Sequence, residues 1–243
     1  MDQRTPMIRV DSLEWDGTQP GIYDNHHEHA IQTSASVSLE DLLRRKGIMH
    51  ADGDGKLFWP MSALKKVMTE SQILQELKRV KRVKGLDGDL FQLAHTIAAG
   101  YCKVFALLTL VGKAKHIQKF IQNGVKDQHL PLHAREAVHL NIFQRGPPYQ
   151  RLACFDLLKT ADREVFLQYQ HQINPVYLGF NQEHGNVLHV DLPSKAILPF
   201  TTAKAIREGG YSTVKEVTVH PDCHGFNDVL KPVCDHRLLL WRL

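Results

Sequence analysis

The chain has 243 residues, 43% apolar and 23% charged, the balance of a globular chain rather than a disordered or membrane-embedded one. Its net charge of +4 is too small an excess to imply a nucleic-acid partner, although fifteen histidines would raise it in mild acid. Four cysteines (Cys102, Cys154, Cys223 and Cys234) form no dense framework, so an intracellular setting, cytoplasmic or nuclear, is expected.

Residues 1–33 are rich in Asp, Gly, Gln, Pro and His without a sustained period, and are expected to form a disordered tail. Their opening, "MDQRTPMIRVDSLEWDGTQP", lacks an apolar core of signal-peptide length. A first helix is expected from Ser38 as cap, with Glu40 and Asp41 at its positive end and Leu39, Leu42 and Leu43 as its apolar face. "HADGDGK" (50–56) then breaks the chain.

Pro60 fits a first helical position, followed by Leu64, Val67 and Met68 on one face. "TESQ" (69–72) has the spacing of a capping box, with Thr69 as cap. The helix it opens carries Ile73, Leu77 and Val80 and ends at Gly85. Asp87 or Asp89 starts the next helix, which reaches about Ala99. "YCKVFALLTLVG" (101–112) reads as a buried helix ending at Gly112. The apolar run from Leu90 to Val111 contains His95, Gly100 and Lys103, whereas a membrane span needs about 20 largely uncharged residues, so it reads as core. "AKHIQKFIQNG" (114–124) is amphipathic through Ile117, Phe120 and Ile121, with Asn123-Gly124 as a left-handed stop. Residues 60–124 therefore read as a compact bundle of four or five helices within a helical domain spanning 34–134.

Residues 135–195 read as a helical and irregular connector, in which "RGPP" (145–148) separates two helical patterns. The second, "EVFLQYQHQI" (164–173), stops before Pro175. "NVLHVDLP" (186–193) alternates like a strand, and "ILPFTTAKAIREGGYSTVKEVTVH" (197–220) reads as strand, glycine turn, strand. The expected fold class is mainly α: a multi-helix bundle followed by a small, incomplete β element over 196–243.

"IREGGYSTVKEV" (206–217) resembles the glycine-rich loop and first two strands of a protein-kinase small lobe, whose pattern is G-x-G-x-x-G-x-V. Such a loop needs a tight hairpin with little side chain, so that backbone N–H groups can cover nucleotide phosphates. Aligned on Val214, Gly209 is the middle glycine, Arg207 replaces the first and Ser212 the third. Together with "KAILPF" (195–200), "VHPDCHGF" (219–226), "KVFALLTLVGKAKHIQKFIQNGVKDQHLPL" (103–132) and "MTESQILQEL" (68–77), the order and spacing resemble the protein-kinase-like proteins of filamentous fungi. In that family a helical N-terminal region precedes an atypical kinase domain. The resemblance covers roughly 35–230.

What the resemblance implies for a site is a degenerate nucleotide loop at Ile206, Gly209, Gly210 and Val214. A third strand would carry a V-A-I-K-type lysine; with "HRLLLWRL" (236–243) as that strand, Trp241 occupies its position. No H-R-D-type loop, D-F-G or A-P-E segment occurs in the sequence, so a base and a magnesium clamp for phosphoryl transfer are missing. The expectation is a non-catalytic kinase-related fragment that stops inside the small lobe, binds no cofactor, and uses its helical region to engage protein partners, with neither nucleic acid nor membrane involved. ATP and magnesium would enter only with the family's kinase portion. Two alternatives remain: the N-terminal part of an active Ser/Thr protein kinase, and an independent helical binding module.

Other chemistry is less well provided for. His220, Cys223, His224, Cys234 and His236 are zinc-type ligands, but the C-x-H spacing of the last pair is too short for common zinc modules, and no metal site is expected. "HHEH" (26–29) lies in the tail, and "DGDGK" (52–56) puts Lys56 where a calcium loop needs an oxygen. The basic run "LKRVKRVKG" (77–85) reads as a solvated helix end, because Val80 and Val83 interrupt it and no aromatics interleave it.

Overall fold

A computed structural model describes residues 37–51, 53–81, 88–135, 141–144, 150–181, 186–187, 192–208, 213–225 and 237–242. The tail expected over 1–33 lies outside them.

The first helix, α1 (Leu39–Lys46), begins where its cap predicts: Ser38 Oγ accepts the Asp41 amide at 3.1 Å. Leu39 and Leu43 are buried, with Leu42 packed beside them. The break at 50–56 lies within a small hairpin that sequence period missed, β1 (Ile48–Met49) against β2 (Leu57–Phe58). Two-residue strands are too short to leave an alternation. Pro60 is the cap rather than the first residue of α2 (Met61–Val67), which buries Leu64 and Val67. Helix α3 (Glu70–Lys81) starts with the Gln72 amide donating to Thr69 Oγ1 at 3.3 Å and buries Ile73 and Leu77. Gly85, its expected end, lies outside the described residues.

Of the two candidate caps, Asp89 is the one used. Its carboxylate accepts the Phe91 amide at 2.8 Å and opens α4 (Leu90–Gly100). The chain turns by 106° into α5 (Cys102–Leu110), so no single described helix is long and apolar enough to cross a membrane. Seven consecutive residues of α5, Val104 to Leu110, are buried. A helix apolar all round must be surrounded. Helices α1, α4 and α7 (Thr160–Ile173) and α6 (Ile117–Gln122) all pack on it. Gly112 and Gly124 take φ of 70° and 67°, ending α5 and α6 as their positions suggest.

The core does not stop at residue 134. Ile142, Leu152, Cys154, Phe155, Leu158, Phe166, Leu167 and Ile173 belong to the same apolar cluster as Leu43, Leu77 and Phe105. Phe120, Phe155 and Phe166 meet with ring centroids 4.8, 5.0 and 6.1 Å apart, joining α6 to α7. The first helical pattern expected after 135 is instead a hairpin, β3 (His133–Arg135) against β4 (Asn141–Phe143). Ile142 is buried between half-exposed neighbours, which is a period of two. The "RGPP" segment lies outside the described residues. Helix α7 is longer than expected at its start and ends before Pro175 as the sequence predicts.

The C-terminal part is β. A short pair, β5 (Phe180–Asn181) with β6 (Asn186–Val187), precedes a three-stranded antiparallel meander of β7 (Phe200–Glu208), β8 (Thr213–Val219) and β9 (Arg237–Arg242). Most of the strand expected at 186–193 lies outside the described residues. The fold is thus mainly α with small antiparallel sheets. The β7–β8 hairpin buries Phe200, Val217 and Val219 against Ala51, Leu178 and Leu198, a satellite cluster beside the main core.

Candidate functional site

Strands β7 and β8 pair antiparallel on either side of the glycines as expected, with register shifts between Phe200 and Thr202 and between Ala205 and Arg207. The second shift leaves Ile206 outside the paired register, 54% exposed. Val214, half-buried on β8, pairs with Arg207 on one side and with Trp241 of β9 on the other. Ile206 lies near the end of β7 and Val214 near the start of β8. Gly209 and Gly210, with Ser212, lie outside the described residues.

Of the zinc-type residues, His220, Cys223 and His224 are described, the last two buried. His220 Nδ1 accepts the Asp222 amide at 3.2 Å. Burial, with Asp222 adding to it, pushes the Cys223 thiol up to about 11, so it is protonated at neutral pH. No three His, Cys, Asp or Glu side chains come together among the described residues, while Cys234 and His236 lie outside them.

A second site emerges that sequence reasoning did not nominate. A cleft of about 200 Å³ opens between the first turn of α5, the start of α2, the residues after α7 and the 3-10 turn Pro221–Cys223. Its walls are Trp59, Met61, Ile173, Pro175 and Tyr177, and its polar groups are Lys103, Asn174, Asp222 and Cys223. Trp59 is 1% exposed and fixed from behind, its Nε1 donating to the Leu43 carbonyl at 2.8 Å. Met61 and Tyr177, 39% and 59% exposed, form the rim.

Lys103 Nζ donates to Asn174 Oδ1 at 2.6 Å, its one hydrogen bond among the described residues. Burial lowers the pKa of this amine, and Asp127 and the Cys102 and Cys223 thiols offset only part of that effect. Asp127 is committed elsewhere: Oδ1 accepts the Val104 amide at 3.0 Å, capping α5 where Tyr101 offers no side-chain cap. Burial raises the Asp127 carboxyl against the pull of those amides. Asp222 Oδ2 accepts the Ser62 amide at 2.8 Å; its pKa is held low above all by a hydrogen bond from the Ser62 hydroxyl, with the amide adding to it against burial.

The signal for this cleft was present in the sequence as a lone lysine in an apolar run, "YCKVFALLTLVG". That pattern excludes a membrane span equally well, and Asn174 and Asp222 are too distant in sequence for any spacing rule to join them to it. Compared with protein-family models, curated proteins and solved structures, the chain matches none.

Proposed function

We propose that the chain is a non-catalytic, protein-kinase-related protein, in which a helical core serving as an interaction or regulatory module carries a degenerate nucleotide-loop hairpin. The observation that supports this reading best is the antiparallel β7-β8-β9 meander, with Ile206 near the end of β7 and Val214 near the start of β8. A kinase small lobe opens with the same order of strands, its loop glycines letting backbone N–H groups reach phosphate. Arg207 and Ser212 add bulk at two of the three glycine positions. The sequence also supplies neither an H-R-D-type base nor a D-F-G metal ligand.

The reading is tested by restoring what the loop lacks. Hydrogen exchange at 206–217 should be unchanged by Mg-ATP in the parent chain, and slowed by it in the Arg207→Gly/Ser212→Gly double variant. Phosphate transfer from labelled ATP should be absent in both. Transfer by the purified parent chain would make it part of an active kinase, and a double variant that still ignores millimolar ATP would remove the kinase-type reading of the hairpin.

A further inference from the structure

We propose that His220 is a proton-operated latch between the β meander and the helical core, and that acid releases the turn Pro221–Cys223 from α2. The latch is independent of the kinase-related reading, and either can fail alone.

The turn is where the two parts of the fold meet. His220 directly follows β8, and its amide donates to the Pro199 carbonyl, just ahead of β7, at 2.9 Å. Two residues on, Asp222 reaches α2, where the Ser62 amide and hydroxyl both donate to its carboxylate. The Leu178 amide donates to the Cys223 carbonyl at 2.8 Å, tying the same turn to the segment after α7. Phe58 of β2 meets the His220 ring edge to face, with centroids 6.4 Å apart and planes at 86°.

The cap of this turn is an imidazole. His220 Nδ1 accepts the Asp222 amide at 3.2 Å. A serine, threonine or asparagine cap accepts at every pH, but an imidazole accepts only while neutral, because both nitrogens of an imidazolium are donors. With Nδ1 accepting, the neutral ring carries its proton on Nε2. A second proton turns Nδ1 into a donor facing the Asp222 N–H. It also places a charge on a half-buried ring beside Phe58. The bond that orients the Asp222 backbone is lost, and with it the aim of the carboxylate at Ser62.

The surroundings set the direction. Among the described residues, Asp222 on the same turn is the carboxylate that acts on the ring, and it favours the proton. Lys66 of α2 faces Asp222, and Lys103 of α5 faces the protonated Cys223 thiol. Phe58 from β2 and Pro199 from the approach to β7 are uncharged. Burial outweighs Asp222 and lowers the His220 pKa. A proton therefore binds the released turn better than the docked one. Docking has its full strength above the usual 6.5 and weakens as pH falls from there through the lowered value. Asp222, itself held low, titrates below the usual 3.8, in a separate window.

The test is amide exchange by NMR on the full chain between pH 7.5 and 5, corrected for the intrinsic pH dependence of exchange. Protection of the Ser62 and Leu178 amides should hold above pH 6.5 and fall below it by up to about tenfold per pH unit. The loss should level off at the midpoint of the His220 ring titration, followed by its C–H resonances. His220→Asn keeps an acceptor for the Asp222 amide at every pH, so both amides should stay equally protected down to pH 5. Parent protection that is flat from pH 7.5 to 5, or that falls as steeply in His220→Asn, would overturn the proposal. If His220→Asn does not fold, the ring titration decides: a midpoint at or above 6.5 refutes the latch, and one below it that coincides with the levelling supports it.

Discussion

Replacing Gln170 by leucine tests how far the core extends beyond the expected helical domain. Gln170 lies on α7, 2% exposed, and its amide clamps one residue: Oε1 accepts the Leu132 amide at 2.8 Å and Nε2 donates to the Leu132 carbonyl at 3.1 Å. Leu132 is itself 4% exposed, so water cannot replace either partner. Leucine keeps the bulk and removes both bonds. Leaving two buried backbone groups without partners costs about 2–6 kcal/mol, and the added apolar surface returns roughly 1 kcal/mol. A net loss near 3 kcal/mol in a chain of this size lowers Tm by about 6–12 °C. Thermal unfolding followed by circular dichroism measures it, with Gln168→Leu, an exposed site on the same helix, as the control expected to stay within about 0.5 kcal/mol of the parent. If Gln170→Leu melts within about 2 °C of the control, the clamp does not tie α7 to the 130–132 segment and the reasoning fails.

Phe155→Ala should cost about 3–5 kcal/mol in urea denaturation, because its ring is packed between Phe120 and Phe166; a loss below about 1 kcal/mol would mean that 152–158 lies on the core without contributing to it. Burial lowers the pKa of His116, His171 and His220, so the unfolded chain binds more protons and stability should fall as pH drops below the usual 6.5 through the lowered folded values. Urea midpoints across that window should show the fall, and His171→Gln should flatten it; a midpoint that rises on acidification would reverse the sign. Further down, above the usual 3.8 of Asp, the raised Asp127 carboxyl works the other way, and Asp127→Asn should make the acid limb steeper.

Helix ends were the most legible part of the sequence, because a cap is a local event. Ser38, Thr69 and Asp89 each accept the amide expected of them, and Gly112 and Gly124 end helices where the chain needs positive φ. The two strands over 200–208 and 213–219 were legible for a similar reason, as β-rich runs on either side of Gly209 and Gly210, but their register, with two shifts, was not. What period could not deliver was partnership. The helices of 60–124 read as a self-sufficient bundle, but α5 is buried on every side, and α1 and α7 supply part of the cover. Ile142 and Phe155 enter the core from a three-residue strand and a 3-10 turn, elements too short to carry a pattern. The Lys103 cleft draws on residues from 59 to 223, so only the tertiary fold assembles it.

Beside that cleft, α5 is buried from Val104 to Leu110. An exposed helix keeps its N-terminal amides and first-turn lysines in water, where neither needs a partner. Sinking α5 into the core takes its N-terminal amides inside and leaves Lys103 half-buried. The amides are the more demanding, since each unpaired one would cost about 1–3 kcal/mol, and Asp127, which opens the 3-10 turn Asp127–His129 after α6, accepts that of Val104. Its carboxylate accepts the Val104 amide while its charge still acts on Lys103, whose Nζ donates to the neutral amide of Asn174. The β side closes the far wall through the Asp222 bond to the start of α2, while the Trp59 amide ties that start to α7 by donating to the Gln172 carbonyl at 3.0 Å. The half-buried Lys103 is thus held at a seam that both parts of the fold fix in place.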